Sequence, residues 1–208
     1  MLIVSWLQVN MERVLAIGSH IDDIEIGCGG TLLRHRDAGD KIFLAVLKSD
    51  ESLTAPVQVR VAEQYQARYM LKARELHLFN GNTHIERKIA TLDEIKPTIL
   101  YFPYEADYHQ DHRIASQVGF AVSRNVKITV LRYLVTTSHS YYPNYLSIIR
   151  IEAKRKLVSL FSSQMERRPK FMEVMEAQNR FFGSLIPGDG HYAEGFVLHR
   201  MVIGLDHG

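Results

Sequence analysis

Short apolar runs rich in β-branched residues recur along the chain, separated by segments whose polar positions follow a helical period. "RVLAIG" (Arg13–Gly18), "KIFLAVL" (Lys41–Leu47), "ELHLF" (Glu75–Phe79), "TILYFP" (Thr98–Pro103) and "VLRYLV" (Val130–Val135) are apolar almost throughout. Runs of this kind suit strands covered on both faces, as in parallel sheets. Between them, "GGTLLRHRDAGD" predicts a helix closed by Gly39, a residue suited to a helix C-terminus. "VQVRVAEQYQARYMLKA" spaces Val57, Val61, Tyr65 and Tyr69 by four, which predicts a helix with these four on one face. "HRIASQVGFAVSRN" sets Ile114, Val118 and Ala121 at helical intervals. Strand–helix alternation with short connections predicts an α/β protein with a Rossmann-like, doubly wound, mainly parallel sheet flanked by helices.

The last third is less regular. "IRIEAKRKLVSLFSSQMERR" predicts one charged amphipathic helix whose basic residues form a solvated face. "FFGSLIPGDGHYAEGF" (Phe181–Phe196), rich in glycine and aromatics, reads as a loop returning over the body, and "FVLHRMVI" as a last short strand. No repeat, low-complexity tract or linker divides the chain. Residues 1–208 therefore read as a single domain, with 1–10 an extra strand or an N-terminal extension.

Composition narrows the class. A chain of 208 residues, 46% hydrophobic and 23% charged, can bury a sizeable core as an ordinary globular domain. The 25 basic and 23 acidic residues leave a net charge of +2, which makes no electrostatic case for nucleic acid or a membrane surface. "MLIVSWLQVN" has no basic leader and is too short to span a bilayer, so no membrane insertion is expected. The single cysteine, Cys28, excludes an intramolecular disulfide and fits a reducing, cytoplasmic location.

The candidate chemistry lies at two places. His20, Asp22, Asp23 and Glu25 crowd together just after the first strand, ahead of Gly27-Cys28-Gly29-Gly30. Leu32 stands where the third glycine of G-x-G-x-x-G would fall and no G-K-[ST] is present, so the glycines do not form a nucleotide cradle. Asp107, His109, Asp111 and His112 follow the fourth strand. In a sheet ordered 3-2-1-4-5, strands one and four are neighbours where the order reverses, and ligands bind at the carboxyl ends there. Two clusters about ninety residues apart would then meet in one crevice. Imidazole and carboxylate suit Zn²⁺, which in catalytic sites commonly keeps three protein ligands and a water. His20 and Asp23, spaced i and i+3, supply two ligands and a histidine of the second cluster a third; spacing alone does not say which. Asp22 is placed to act as general base, and the remaining histidine to polarise a carbonyl or protonate a leaving amine.

"SHIDDIEIGCGGTL" resembles the A-H-P-D-D-x-E-x-G-C-G-G-T signature of the PIG-L/LmbE-like zinc-dependent N-deacetylases, and "DYHQDHR" resembles that family's H-[PQ]-D-H motif. "RVAE" (Arg60–Glu63), "PNYLSI", "KRKLVSLFSSQ" and "YAEGF" (Tyr192–Phe196) are similar to further family stretches, so the resemblance spans about Met11 to Met201. It implies an LmbE-like fold, Zn²⁺ ligands His20, Asp23 and His112, Asp22 as general base, and His109 as acid or oxyanion stabiliser. It further implies that Asp111 orients a histidine, and that Arg60, Asn82, Tyr192 and Glu194 bind or brace the substrate side. Fe²⁺ or another divalent ion suits the same ligands. Two departures stand out: Ile21 replaces the usual proline, and "FNGNTHI" replaces an aspartate that binds sugar hydroxyls, leaving Asn80 or Asn82 to do so. The implied activity is removal of acetyl from an N-acetylated amino sugar of the N-acetylglucosamine type, or its small conjugate. The alternatives are an amidase acting on a bulkier acyl or thiol conjugate, and a catalytically idle sugar-binding homologue. Retention of Asp22 argues against the last, because binding needs the ligands but only turnover needs the base. The implied partner is a small molecule, and homo-oligomers, common among such relatives, are compatible with the sequence.

Overall fold

The computed structural model describes residues 11–50, 55–124, 127–188 and 190–202; the segment 1–10, read as an extension or extra strand, lies outside the described residues. β1 (Arg13–Gly18), β2 (Lys41–Val46), β3 (Glu75–Leu78), β4 (Ile99–Pro103) and β5 (Thr129–Tyr133) pair in parallel. β6 (Tyr145–Ile148) and β7 (Ala193–Arg200) extend the sheet antiparallel, giving the order β3-β2-β1-β4-β5-β7-β6. The parallel part is the expected doubly wound sheet, and its order reverses between β1 and β4.

Seven helices are described: α1 (Asp23–Ala38), α2 (Val57–Leu71), α3 (Ile85–Asp93), α4 (Gln110–Val122), α5 (Ile151–Val158), α6 (Ser162–Arg167) and α7 (Phe171–Ser184). Successive strand residues point to opposite faces, so continuous apolar runs are needed to fill two layers. Val14, Ala16, Ile42, Leu44, Tyr101 and Tyr133 pack with Cys28 and Leu32 of α1, Leu71 of α2 and Leu157 of α5. Leu15, Ile17, Phe43, Ala45 and Phe102 pack on the other face with Leu92 of α3 and Val118 of α4. Among the described residues no helix is long and apolar enough to cross a membrane.

The glycines after His20 are packing residues. A Cβ at Gly27 would lie 2.0 Å from the Tyr133 ring, and one at Gly30 2.8 Å from Ile149. Only glycine lets α1 approach that closely. The same helix is pinned from the side by Glu194 of β7. Its carboxylate accepts from the backbone N–H groups of Gly30 and Thr31 (both 2.8 Å), from Thr31 Oγ1 (2.6 Å) and from Lys154 Nζ (2.6 Å). Lys154 Nζ also donates to the Ile26 carbonyl at 2.7 Å. Glu194 is therefore a buried strut of α1; of the two roles the resemblance implies, binding or bracing, these contacts are those of a brace.

The apolar face of α2 is not the one that packs inward. Tyr65 and Tyr69 are 49% and 86% exposed, while Arg60, Glu63, Gln64, Ala67 and Leu71 are buried. A polar network wins over the apolar spacing. Gln64 Nε2 donates to Glu25 Oε1 at 2.7 Å, and Glu63 accepts from Ser163 N (2.8 Å) and Ser163 Oγ (2.7 Å). The latter bonds start α6 as a separate helix, so the long amphipathic segment breaks after Val158, around the buried Phe161. Phe181–Ser184 belong to α7 rather than to the loop that follows.

Candidate active site

The first cluster is built at the junction of β1 and α1. Asp23 opens the helix, and its Oδ2 accepts the backbone N–H groups of Ser19 (3.0 Å) and His20 (2.9 Å), folding the loop back over the helix end. Asp22, just before it, adopts φ +98°. This is the left-handed region, which costs a non-glycine residue about 1–3 kcal/mol and persists only where the surroundings enforce it. Arg60 supplies the enforcement. Its buried guanidinium donates to the Ile21 carbonyl and lies 3.4 Å from Asp22 Oδ1. Arg60 thus enters the site through Asp22 and through the carbonyl of the residue that replaces proline.

The second cluster comes from the β4–α4 connection. His109 caps α4, its Nδ1 accepting the Asp111 backbone N–H at 3.2 Å, and His112 lies in the first turn. Ser19 Oγ donates to the Asp111 carbonyl at 3.0 Å, joining the two loops. The His20 ring centroid is 4.9 Å from that of His109 and 5.5 Å from that of His112.

One nitrogen of each of two imidazoles faces the same oxygen. His20 Nδ1 is 3.6 Å and His112 Nε2 3.4 Å from Asp23 Oδ2. The opposite nitrogens are held from behind. His20 Nε2 is 3.1 Å from Asp111 Oδ2, and His112 Nδ1 is 3.1 Å from both Asp107 Oδ1 and Thr137 Oγ1. Among the described residues two overlapping sets could hold a metal ion: His20, Asp23 and His112, or His20, His109 and Asp111. Lys48, just past β2, places its Nζ 2.9 Å from Asp111 Oδ2.

The charges follow from this crowding. Burial works to lower the His112 pKa, but Asp23 and Asp107 outweigh it and lift the ring to about 10. Burial likewise opposes ionisation of Asp23, yet His112 and His20 hold it well below the usual carboxylate range. Asp22 is pushed up to about 8 by burial and by the Asp23 charge, against the pull of Arg60. Burial, with His112 and His20 nearby, lowers His109. A neutral His109 whose Nδ1 accepts a backbone N–H carries its proton on Nε2.

The structure therefore brings together His20, Asp22, Asp23, His109, Asp111 and His112. Asn82 is exposed on the turn after β3, its N–H bonded to Asn80 Oδ1 at 2.7 Å, two strands from β1. Tyr192 is not part of the cluster. Its hydroxyl lies 3.4 Å from Glu176 of α7, and it lines a separate groove with Arg36, Met70 and Lys156. The β7 end where Tyr192 sits is tied to Glu176 of α7 and to Ile149 rather than to the β1–β4 crevice. Two further residues, Asp107 and Lys48, support these groups. Asp107 is 2% exposed and accepts from His109 N, Thr137 Oγ1 and Ser138 Oγ as well as facing His112. Lys48 carried one signal, its position immediately beyond a strand at the ligand-binding edge.

A family model described as PIG-L: GlcNAc-PI de-N-acetylase matches residues 15–123, more than half of the chain. The uncharacterized deacetylase YaiS of Escherichia coli (strain K12) is 29% identical over 155 residues, covering 68% of this chain and 84% of YaiS. The conserved protein TT1542 from Thermus thermophilus has 26% identity and a TM-score of 0.79, with 94% of this chain and 98% of that one covered. N,N'-diacetylchitobiose deacetylase from Pyrococcus horikoshii shares the fold at a TM-score of 0.75 and 19% identity, over 91% of this chain and 84% of its own.

Proposed function

Because this chain belongs to the PIG-L (GlcNAc-PI de-N-acetylase) family, we propose that it is a zinc-dependent hydrolase acting on an N-acetylated amino sugar of the N-acetylglucosamine type, or on a small conjugate of one. The family is one of N-deacetylases, and YaiS carries the name of a deacetylase. The observation that supports the reading is the convergence of His20 Nδ1 and His112 Nε2 on Asp23 Oδ2, with a second aspartate behind each ring. Imidazoles backed by carboxylates are characteristic of metal ligands, and two nitrogens with one carboxylate suit Zn²⁺ or Fe²⁺. Of the two donor sets, the one containing Asp111 already has the Lys48 ammonium on its carboxylate. We assign the metal to His20, Asp23 and His112.

When bound, such an ion supplies Lewis acidity and brings the pKa of water down from ~15.7 towards ~7. Asp22, held by Arg60, accepts the proton of the attacking water in its ionised form, the form that the Arg60 charge favours. His109 presents its Nε2–H to the amide carbonyl oxygen as negative charge develops there. The acyl C–N bond then breaks, a proton passes to the amine nitrogen, and acetate and the free amino sugar leave. Asn82, on the exposed turn after β3, is the residue proposed to meet hydroxyls of a substrate that reaches across β1 to that turn.

The test is a panel of N-acetylated sugars assayed for amine release, run beside metal analysis of the purified protein. About one ion per chain and amine release from an N-acetylhexosamine are expected. Amine release that continues unchanged in metal-free protein would sink the metal assignment, and a panel without amine release would sink the reaction.

A further inference from the structure

Tyr108 immediately precedes His109 and is 77% exposed. The loop that carries it is nonetheless firmly held. Tyr108 N donates to the Thr137 carbonyl (3.2 Å), His139 N donates to the Ala106 carbonyl (2.9 Å), and Asp107 pairs with Ser138 as an antiparallel bridge. Arg113 Nη1 donates to the carbonyls of Asp107 (2.6 Å) and Tyr108 (3.0 Å). The result is a ring pair, Tyr108 and His139, with centroids 4.5 Å apart and planes tilted by 33°. An aromatic surface fixed in place beside a polar crevice and left facing water is ready for a ligand with an apolar face and a polar rim.

The orientation of the reaction says which part of a substrate would reach it. Tyr108 directly precedes His109 on the β4–α4 connection, so with His109 at the amide the group attached to the amine lies within one residue's reach of the Tyr108 ring. That group is the sugar ring, one face of which is lined by C–H bonds. The sheet order also places the Asn82 turn, after β3, and the Tyr108 loop, after β4, on opposite flanks of β1. We propose that Tyr108, backed by His139, is a stacking subsite for the pyranose ring on the amine side of the scissile bond, and so selects sugar amides over acyclic ones. The inference rests on the deacetylase reading above.

Steady-state kinetics on three probes test it: N-acetylglucosamine, N,N'-diacetylchitobiose and the acyclic N-acetylethanolamine. Tyr108→Ala should raise KM for both sugars about five- to tenfold, the scale of one aromatic contact. Its kcat should stay within about twofold, the pattern of binding lost equally from ground and transition states. Tyr108→Phe should restore KM, and kcat/KM for N-acetylethanolamine should not respond to either variant. Unchanged sugar KM in Tyr108→Ala, or an equal loss on the acyclic amide, would overturn the subsite. Tyr108→Trp gives a readout independent of turnover, since Trp6 is the only native tryptophan. A shift of its emission on titration with N-acetylglucosamine would support the subsite even if the wild type releases no amine, an outcome that overturns only the reaction. Absence of both the shift and turnover overturns both.

Discussion

Helix α1 carries a histidine–aspartate cluster at each end. Near its C-terminal end His35 places Nδ1 2.6 Å from Asp40 Oδ2 and Nε2 2.9 Å from the Tyr101 hydroxyl, while Asp40 Oδ1 accepts the Glu12 N–H at 3.0 Å. Both ring nitrogens are used, and each bond ties α1 to the start of β2 or to β4. At the N-terminal end His20 and His112 each give one nitrogen to a backing aspartate and turn the other towards Asp23. Residue types and burial are alike at the two ends. What separates a strut from a site is whether the remaining donor atoms converge on one point.

The largest expected effects come from breaking that convergence. Asp23→Asn keeps an acceptor for the Ser19 and His20 amides but removes a charged ligand. It should abolish measurable turnover and weaken metal binding beyond the roughly 10- to 100-fold that losing a backing group costs. Asp22→Asn should keep its metal and still lose about 100-fold or more in kcat, as expected of a general base. Metal content and kcat measured together separate the two; equal metal loss in both variants would erase the distinction between ligand and base.

Between the clusters, α1 depends on the Lys154–Glu194 pair, both side chains 1% exposed. Lys154→Met should lower unfolding stability by about 3–5 kcal/mol, because it strands a buried carboxylate. The double variant with Glu194→Gln should cost less than Lys154→Met alone in urea titration. A double variant as unstable as the single would mean the loss comes from the Lys154 stem rather than from its charge.

The His35–Asp40 cluster at the C-terminal end of α1 should respond in stability only. His35→Leu leaves Asp40 and Tyr101 each short of a partner, which costs about 1–3 kcal/mol, and metal content and kcat/KM should not change. Metal loss in this variant would end the claim that the two ends of α1 do different work.

Much of this was legible in the sequence because two periodicities and one topology rule carry it. Apolar runs covered on both faces marked β1 to β5, and the 3-2-1-4 order brought His20 and His112 together across about ninety residues. The polar supports were harder to see. Asp107 stood in the second cluster, but its bonds to Thr137 and Ser138 some thirty residues on, and the single contact of Lys48 with Asp111, are long-range pairings that no spacing records. The strand β6 is only four residues long, and α3 has two buried side chains, one of them Lys88, whose Nζ donates to the Leu47 carbonyl at 2.8 Å. Glu194 and Tyr192, two residues apart on β7 and its approach, serve the fold at α1 and α7 rather than the crevice.

The smallest expected effect tests the same lesson on α2. By residue type Tyr65 and Tyr69 should be core and Gln64 surface, yet Gln64 is fully buried on Glu25 and Tyr69 is 86% exposed. Tyr69→Ser should therefore change stability by less than about 0.5 kcal/mol, the usual range for a surface site. Gln64→Leu should cost about 1–3 kcal/mol despite adding an apolar side chain, because it removes the donor on a buried carboxylate. The comparison by urea denaturation is decisive in either direction. If Tyr69→Ser were the costlier change, the apolar stripe rather than the Glu25–Gln64 bond would be what seats α2 against the helix that bears Asp23.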